Sequence, residues 1–375
     1  MPIMTSLATA PDGLAARQPI RVQPGAANYY AHPGALDELA RAFPQQRLFW
    51  IGGERATAAA APYLPACYRE ARSTHAVFRG HCSESKVAAL SAQAGAAEVI
   101  VGVGGGSVLD TAKAVAARLN RPFVAIPTIA ATCAAWTPLS VWYDDAGRAL
   151  SFELFALGSH QVLVEPRLLI AAPAEYLRAG IGDTLAKWYE ARVLCAREAS
   201  LPLTARLGLE TARQLRDVLL QSGPAALADA AAGRLSAAFV DVIDAVIAGG
   251  GLVGGLGERY TRLAAAHSVH NGLTVLPQTA NVLHGAKVAY GILVQLALEG
   301  RDDELHELAA AYRPLQLPRT LADLGVDTAD KEALAVFIAH TLRPVESIHY
   351  LPGTVDAERL RGAIERVEGL ALKTG

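Results

Sequence analysis

VIVGVGGGSVLDTAK, residues 99–113, reads as strand, glycine turn and helix. Its β-branched start marks a buried strand. Gly102, Gly104, Gly105 and Gly106 permit a tight turn and close approach of a ligand to the backbone. Ser107 is placed to cap the following helix. Asp110, three residues on, would complete a box-like cap in which Asp replaces the usual Glu or Gln. The first turn of such a helix offers free N–H groups to a phosphate. Alternatively the turn only joins two elements. Ser107 takes the last glycine position of a GxGxxG pattern, and the turn lies near residue 100 rather than in the first strand–helix unit.

Short strand-like and helical runs alternate on both sides of this turn. RLFWIGG (47–53), HAVFRG (75–80), AEVIVGV (97–103) and PFVAIPT (122–128) are strand-like, with helical runs at SESKVAALSAQAGA (83–96) and SVLDTAKAVAARLN (107–120). This βαβαβ order implies a parallel sheet covered on both faces. ALSFELFALGSHQVLVEP (149–166) reads as two further strands around a Gly-Ser turn. After about residue 172 the apolar spacing becomes helical and strand signals nearly vanish. The expected organisation is a flexible tail at 1–19, an α/β dinucleotide-binding domain at 20–172 and an all-helical domain at 173–375. A ligand site is expected in the cleft between the two domains.

The 375 residues are 52% hydrophobic and 19% charged, as in a globular protein with a large core. A formal net charge of −2 gives no electrostatic reason to expect nucleic acid. Cys67, Cys82, Cys133 and Cys195 contain no CxxC pair, which suits a reduced, cytoplasmic setting. No apolar run is expected to reach the roughly 18 residues of a membrane span.

A dinucleotide site normally places a carboxylate at a strand end to bond the adenosine ribose. In FWIGGERA, Gly52 and Gly53 stand where that carboxylate is expected, and Arg55 follows. Without the carboxylate a 2′-phosphate is not repelled, and an arginine can bind it. This favours NADP(H) over NAD(H).

LAAAHSVHNGLT (263–274) puts His267 and His270 one turn apart, and His284 follows in NVLHGAKVAYG. A single helical histidine is usually structural. Three so close together, beside a short loop, point to a metal or proton-transfer site. Imidazole suits zinc or ferrous iron, and one carboxylate would complete an open three-ligand site. Asp183, in GIGDTLAKWYEA (180–191), is suggestive because it opens a helix just past the domain seam; spacing alone does not select it.

GVGGGSVLDTAKAVA, PTIAAT, GIGDTLAKWYEA, AAAHSVHNGLT and LHGAKVAYGILVQL, in this order, resemble the glycerol dehydrogenase branch of the iron-containing alcohol dehydrogenase family, from about residue 20 to the C-terminus. The resemblance implies an N-terminal dinucleotide-binding domain, a helical C-terminal domain and a divalent metal, zinc or iron, in the cleft. It implies Asp183, His267 and His284 as metal ligands. Gly104, Gly105, Gly106, Ser107 and Asp110 would form the pyrophosphate loop, and Thr128, Ala131, Thr137, Leu139 and Tyr143 would line the nicotinamide end. His270 would stand behind the metal or relay a proton.

Three positions depart from the glycerol enzymes. Ala131-Thr132-Cys133 replaces a Ser-Thr-Asp stretch whose aspartate binds polyol hydroxyls. Gly52 replaces the aspartate ending the strand, and Lys187 stands where the wider family often has a metal-binding histidine, one turn after the aspartate. FRGHCSES, PTIAATCAAWTPLSVWY, AGIGDTLAKWYEA and TLRPVESIHYLP are similar to the bacterial hydroxycarboxylate dehydrogenases of this family. These are NADPH-dependent enzymes that reduce small 2-oxo acids such as 2-oxoglutarate and 2-oxobutanoate. All three departures suit an anionic substrate and NADP, with Cys133 and Lys187 at the substrate and Gly52 at the cofactor.

The expected chemistry is metal-assisted hydride transfer from NADPH to a 2-oxo acid, with His270 near the proton path. Lys187 has three open readings: a seat for the substrate carboxylate, a pair with Asp183 that leaves no metal, or a solvent-facing side chain. An NAD-linked glycerol or polyol dehydrogenase is the alternative. A dehydroquinate-synthase-like lyase would need a basic cluster around a substrate phosphate, which the sequence does not display. Arg343 and His349 are each open between ligand binding and a structural role. A small-molecule substrate and a homo-oligomer are expected, without nucleic acid or membrane.

Overall fold

A computed structural model describes residues 20–373; the tail expected at 1–19 lies outside them. Eight strands form: β1 (Asn28–Ala31), β2 (Leu48–Gly52), β3 (Ser73–Val77), β4 (Val99–Gly104), β5 (Phe123–Pro127), β6 (Leu139–Tyr143), β7 (Ala149–Leu154) and β8 (Gln161–Val164). Six of them make one parallel sheet in the order β1-β8-β5-β4-β2-β3. β2, β4, β5 and β8 are buried along their whole length, as apolar strands covered on both faces must be. Helices α1 (Glu38–Ala42), α2 (Glu54–Ala60), α3 (Glu84–Ala94), α4 (Gly106–Leu119) and α5 (Pro166–Ile170) connect these strands or follow the last of them.

The segment 149–166 forms two strands, but not a pair. β7 is exposed along most of its length and pairs antiparallel with β6, outside the main sheet. QVLV of β8 is apolar on both faces and enters the sheet between β1 and β5. β1 and β6 are additions to the sequence reading. Each has only four or five residues; β1 is defined by its distant partner β8, and β6 by the neighbouring β7.

After Val164 every regular element among the described residues is helical. These are α6 (Ala174–Ala196), α7 (Leu203–Ala232), α8 (Ala237–Asp244), α9 (Gly250–Gly257), α10 (Ala265–Leu273), α11 (His284–Glu299), α12 (Asp302–Leu315), α13 (Lys331–Thr341) and α14 (Ala357–Lys373), with short 3-10 turns between some of them. A π-helical turn, Ala245–Gly249, joins α8 to α9. The resulting rod, Ala237–Tyr260, is long and apolar enough to span a membrane, at mean hydropathy 1.7, which corrects the expectation that no stretch reaches that length. Half of its apolar window is buried, and α9 packs on α7, so it also has the character of a core helix.

α6, α10 and α11 meet at unusually short range. A Cβ on Gly182 would lie 2.4 Å from the Gly285 carbonyl oxygen, and one on Gly285 would lie 1.8 Å from that of Ala179. A Cβ on Gly291 would lie 2.3 Å from the Ala266 oxygen. Only glycine permits these crossings. They bring Asp183 on α6, His267 on α10 and His284 on α11 to one place.

Candidate active site

Because all six strands run parallel, their C-terminal ends share one edge. The order in which strands are added reverses between β2 and β4, and ligands of open parallel sheets bind at such switch points. Gly52 at the end of β2 is in register with Val103, beside Gly104. The glycine turn closes the same edge. Gly105 is the N-cap of α4 with extended backbone and no side-chain cap, so the first-turn N–H groups face the edge unbonded by a cap. A Cβ on Gly106 would meet Thr132 Oγ1 at 3.6 Å and Ala134 at 3.8 Å, which marks its open side as the one facing the 128–138 loop. These features fit a dinucleotide pyrophosphate. Arg55 lies exposed in the first turn of α2, just past Gly52, with no ion pair or hydrogen bond among the described residues.

The expected capping box does not form. α4 already begins at Gly106, so Ser107 is exposed inside its first turn, and its carbonyl accepts from Thr111 Oγ1 at 2.8 Å. Asp110 is buried and points to β6, where its carboxylate accepts the Val141 N–H at 3.1 Å and pairs with Lys113 at 3.2 Å. Lys113 also donates to the Leu139 carbonyl, and Ser140 Oγ donates to that of Asp110 at 2.9 Å. Burial pushes the Asp110 carboxyl up, with Lys113 acting against it. Asp110 therefore fastens the β6–β7 hairpin to α4.

Of the residues assigned to the nicotinamide end, Thr128 is buried, and its N–H donates to Gly104 at 3.2 Å. Ala131, Thr137, Leu139 and Tyr143 follow along the loop and β6, all half-buried. The Tyr143 ring lies 4.9 Å from that of His81. The loop is pressed against α6, since a Cβ on Gly180 would lie 2.2 Å from the Ala130 oxygen.

Asp183, His267 and His284 each present one ligand atom, all within 4.8 Å of one another. Asp183 Oδ1 lies 3.2 Å from His284 Nε2 and 3.4 Å from His267 Nε2. One carboxylate oxygen and two imidazole nitrogens converging in this way suit a borderline divalent cation such as zinc or ferrous iron. Burial would raise the Asp183 carboxyl, but Lys187, His284 and His267 together hold it well below its ordinary value.

Two chains of contacts behind this cluster were not anticipated from sequence. Glu190 is fully buried on α6, and its Oε2 lies 2.7 Å from His267 Nδ1. Its other oxygen accepts the N–H groups of Ala264 at 2.8 Å and His267 at 3.0 Å. Burial works against the charged His267 ring, yet Glu190 and Asp183 raise its pKa to about 9. The signal was present, as Glu190 repeats the Asp183 face two turns on. The second chain starts at Glu346, which accepts from Asn271 Nδ2 at 2.8 Å. That bond turns the Asn271 oxygen toward His270 Nδ1 at 3.0 Å, and His270 Nε2 lies 2.9 Å from His284 Nδ1. Burial and the neighbouring rings of His284 and His267 hold His270 well below its ordinary pKa. A neutral His270 that donates to Asn271 accepts from His284 Nδ1, so that His284 Nε2 would offer its lone pair to a cation bound in the cluster. Arg343 pairs with Glu346 at 2.6 Å, and its carbonyl lies 3.1 Å from His349 Nε2, so both belong to this support.

Lys187 is half-buried beside the cluster, which removes the solvent-facing reading. It makes no salt bridge with Asp183, whose short contacts are to the two histidines. Burial would lower its pKa, but Asp183, Cys133 and Glu190 raise it. Cys133 stands between α6 and α9: a Cβ on Gly250 would lie 3.5 Å from both Cys133 Cβ and Thr184 Oγ1.

The sequence model of iron-containing alcohol dehydrogenases matches residues 26–166. The chain is 58% identical over 354 residues to the hydroxycarboxylate dehydrogenase A of Escherichia coli K12, covering 93% of this chain and 98% of that protein. It is 37% identical over 294 residues to a glycerol dehydrogenase of Pseudomonas putida, covering 76% and 79% of the two chains. The fold is similar to the crystal structure of a probable glycerol dehydrogenase from Sinorhizobium meliloti 1021, with a TM-score of 0.83 and 30% identity over 95% of this chain and all of that one.

Proposed function

The chain belongs to the iron-containing alcohol dehydrogenase family and is a dehydrogenase acting on CH–OH groups, and from that premise we propose that it reduces a small 2-oxo acid to the 2-hydroxy acid with NADPH. The observation that carries this reading is the half-buried Lys187, without an ion pair or hydrogen bond among the described residues, one turn from Asp183 on α6. A polyol would place neutral hydroxyls there. A 2-oxo acid places a carboxylate there, between an ammonium and a cation-binding cluster.

The reaction moves a hydride from the reduced nicotinamide to the carbonyl carbon and a proton from water to the carbonyl oxygen, leaving NADP+ and the hydroxy acid. A divalent cation on Asp183, His267 and His284 would supply Lewis-acid polarisation of that oxygen when bound. Glu190 and His270 act as positioning residues for the two histidines. Lys187 orients the substrate through its carboxylate. Gly104 to Gly106 and the first turn of α4 seat the pyrophosphate, while Gly52 and Arg55 favour the 2′-phosphate of NADP. Cys133 leaves the substrate side free of a competing carboxylate.

A kinetic panel tests this reading. NADPH and NADH are each compared with 2-oxobutanoate, 2-oxoglutarate and dihydroxyacetone, and the oxidised cofactors with glycerol. Highest kcat/KM is expected for NADPH with a 2-oxo acid, with activity lost on chelation. Preference for NADH with dihydroxyacetone would establish the polyol reading instead, and full activity in a metal-free enzyme would remove the Lewis-acid role.

A further inference from the structure

Three strand ends stand abreast at the cofactor edge of the sheet. Val103 of β4, Gly52 of β2 and Val77 of β3 are in register, and the Phe78 N–H donates to the Gly52 carbonyl at 2.8 Å. Adjacent strands lie about 4.8 Å apart. The glycine turn after β4, the Gly52-Gly53 step after β2 and residues 78–80 after β3 therefore follow one another across the edge. A Cβ on Gly53 would lie 3.7 Å from Val108 Cγ2, so the second of these borders the first turns of α4. A pyrophosphate on the first puts the adenosine ribose at the second. The third is then the nearest neighbour of a group on the ribose 2′-oxygen.

Arg79 occupies this third place. Its Nη2 lies 2.5 Å from Glu54 Oε2, on the first residue of α2, so the pair bridges the chain ends that leave β2 and β3. Its Nε and Nη1 have no hydrogen bond or ion pair among the described residues. Phe78 is buried and anchors the base of Arg79, while Gly80 turns at a φ of +99° in open space. The two side chains of the bridge are 76% and 68% exposed. An ion pair so exposed is weak, so Arg79 can shift toward a phosphate with little to lose. A guanidinium fork that gives one nitrogen to a carboxylate keeps the others for phosphate oxygens.

We propose that Arg79 is a specificity-determining residue for the 2′-phosphate of NADP(H), holding Glu54 through Nη2 and the phosphate through its remaining N–H groups. This rests on the NADP reading above. It adds to Gly52 and Arg55 a residue from a second strand, and it gives Glu54 a part. Glu54 is the first carboxylate after Gly52. Released from Arg79, it would return to the ribose the negative charge that position 52 lacks.

The test is calorimetric binding of adenosine 2′,5′-bisphosphate and of 5′-AMP, which differ only in the 2′-phosphate, to the full-length protein and its variants. The unaltered protein should prefer the bisphosphate. Arg79→Gln should weaken the bisphosphate by about tenfold or more, as for loss of a hydrogen bond to a charged group, and leave 5′-AMP little changed. The NADPH-to-NADH ratio of kcat/KM should fall with it, through KM. Arg79→Gln/Glu54→Gln should regain part of the lost affinity, because the freed carboxylate is gone. Unchanged bisphosphate affinity in folded Arg79→Gln, or an equal loss for both ligands, overturns the role of Arg79. A double variant no tighter than Arg79→Gln overturns the part given to Glu54. An unaltered protein that binds both ligands equally and prefers NADH removes the NADP reading itself, and the proposal with it.

Discussion

Glu190 Oε2 and His267 Nδ1 are 2.7 Å apart, and this contact fixes which nitrogen of His267 faces Asp183. Glu190→Gln keeps an acceptor for the Ala264 and His267 N–H groups but removes the charge behind the ring. Its affinity for zinc or ferrous iron should fall by roughly 10–100-fold. Competition against a chromogenic chelator measures this, and unchanged affinity would show that Glu190 is only a packing residue.

Gly285→Ala would set a methyl group 1.8 Å from the Ala179 carbonyl oxygen. Overpacking of this kind typically costs about 1–3 kcal/mol, and here it also parts α6 from α11. Lower stability in urea and weaker metal binding are expected together, because Asp183 and His284 would move apart. A variant with wild-type stability and metal content would contradict the account of the crossing.

Asp110→Asn leaves Lys113 buried without its carboxylate. Breaking a buried pair by removing one partner costs about 3–5 kcal/mol, whereas replacing both costs less. Asp110→Asn/Lys113→Met should therefore be more stable than Asp110→Asn alone. A double-mutant cycle by chemical denaturation checks the coupling, and strict additivity would exclude it.

Glu165 follows β8 and caps α5, with a fully buried side chain. Burial alone would raise its carboxyl, but hydrogen bonds from Arg167 and the Gly34 N–H more than offset this and hold it below its ordinary value of 4.5. A carboxylate depressed on folding contributes stability that is complete above its unfolded pKa and is lost as pH falls through the folded one. The melting temperature should decline below about pH 4.5, where free carboxylates begin to protonate. Glu165→Gln should melt lower at neutral pH and show a shallower decline in acid; parallel curves would exclude the contribution.

Gly52→Asp would restore a carboxylate at the end of β2, but its Cβ would meet Thr57 Oγ1 at 2.2 Å. Paired with Thr57→Ala, which clears that contact, it should shift the NADPH-to-NADH ratio of kcat/KM toward NADH by about tenfold or more, as expected for removal of a charge-assisted phosphate contact. An unchanged ratio would place cofactor selection elsewhere.

The parts of this site that could be read from sequence are those written in short contiguous stretches. The glycine turn, five strands of the main sheet, and the aspartate and histidines of the cation cluster each announce themselves locally. The rest depends on distant pairing. Glu190 and His267 are 77 residues apart, and Asp110 and Val141 are 31 apart. Asp110 shows the difficulty well: its spacing from Ser107 suits a cap, but a helix capped two residues earlier, at Gly105, turns the same carboxylate toward β6.

The main-chain contacts at Gly182 and Gly285 separate two design problems that most active sites solve together. Helix spacing is dictated by the backbone, so side chains around the cluster can be exchanged without moving the helices apart. Positions 133 and 187 then behave as a small combinatorial panel on a rigid frame. A histidine at 187 would add a ligand and an aspartate at 133 would reverse the local charge, so a lineage built on this frame can diversify its substrates through few point changes.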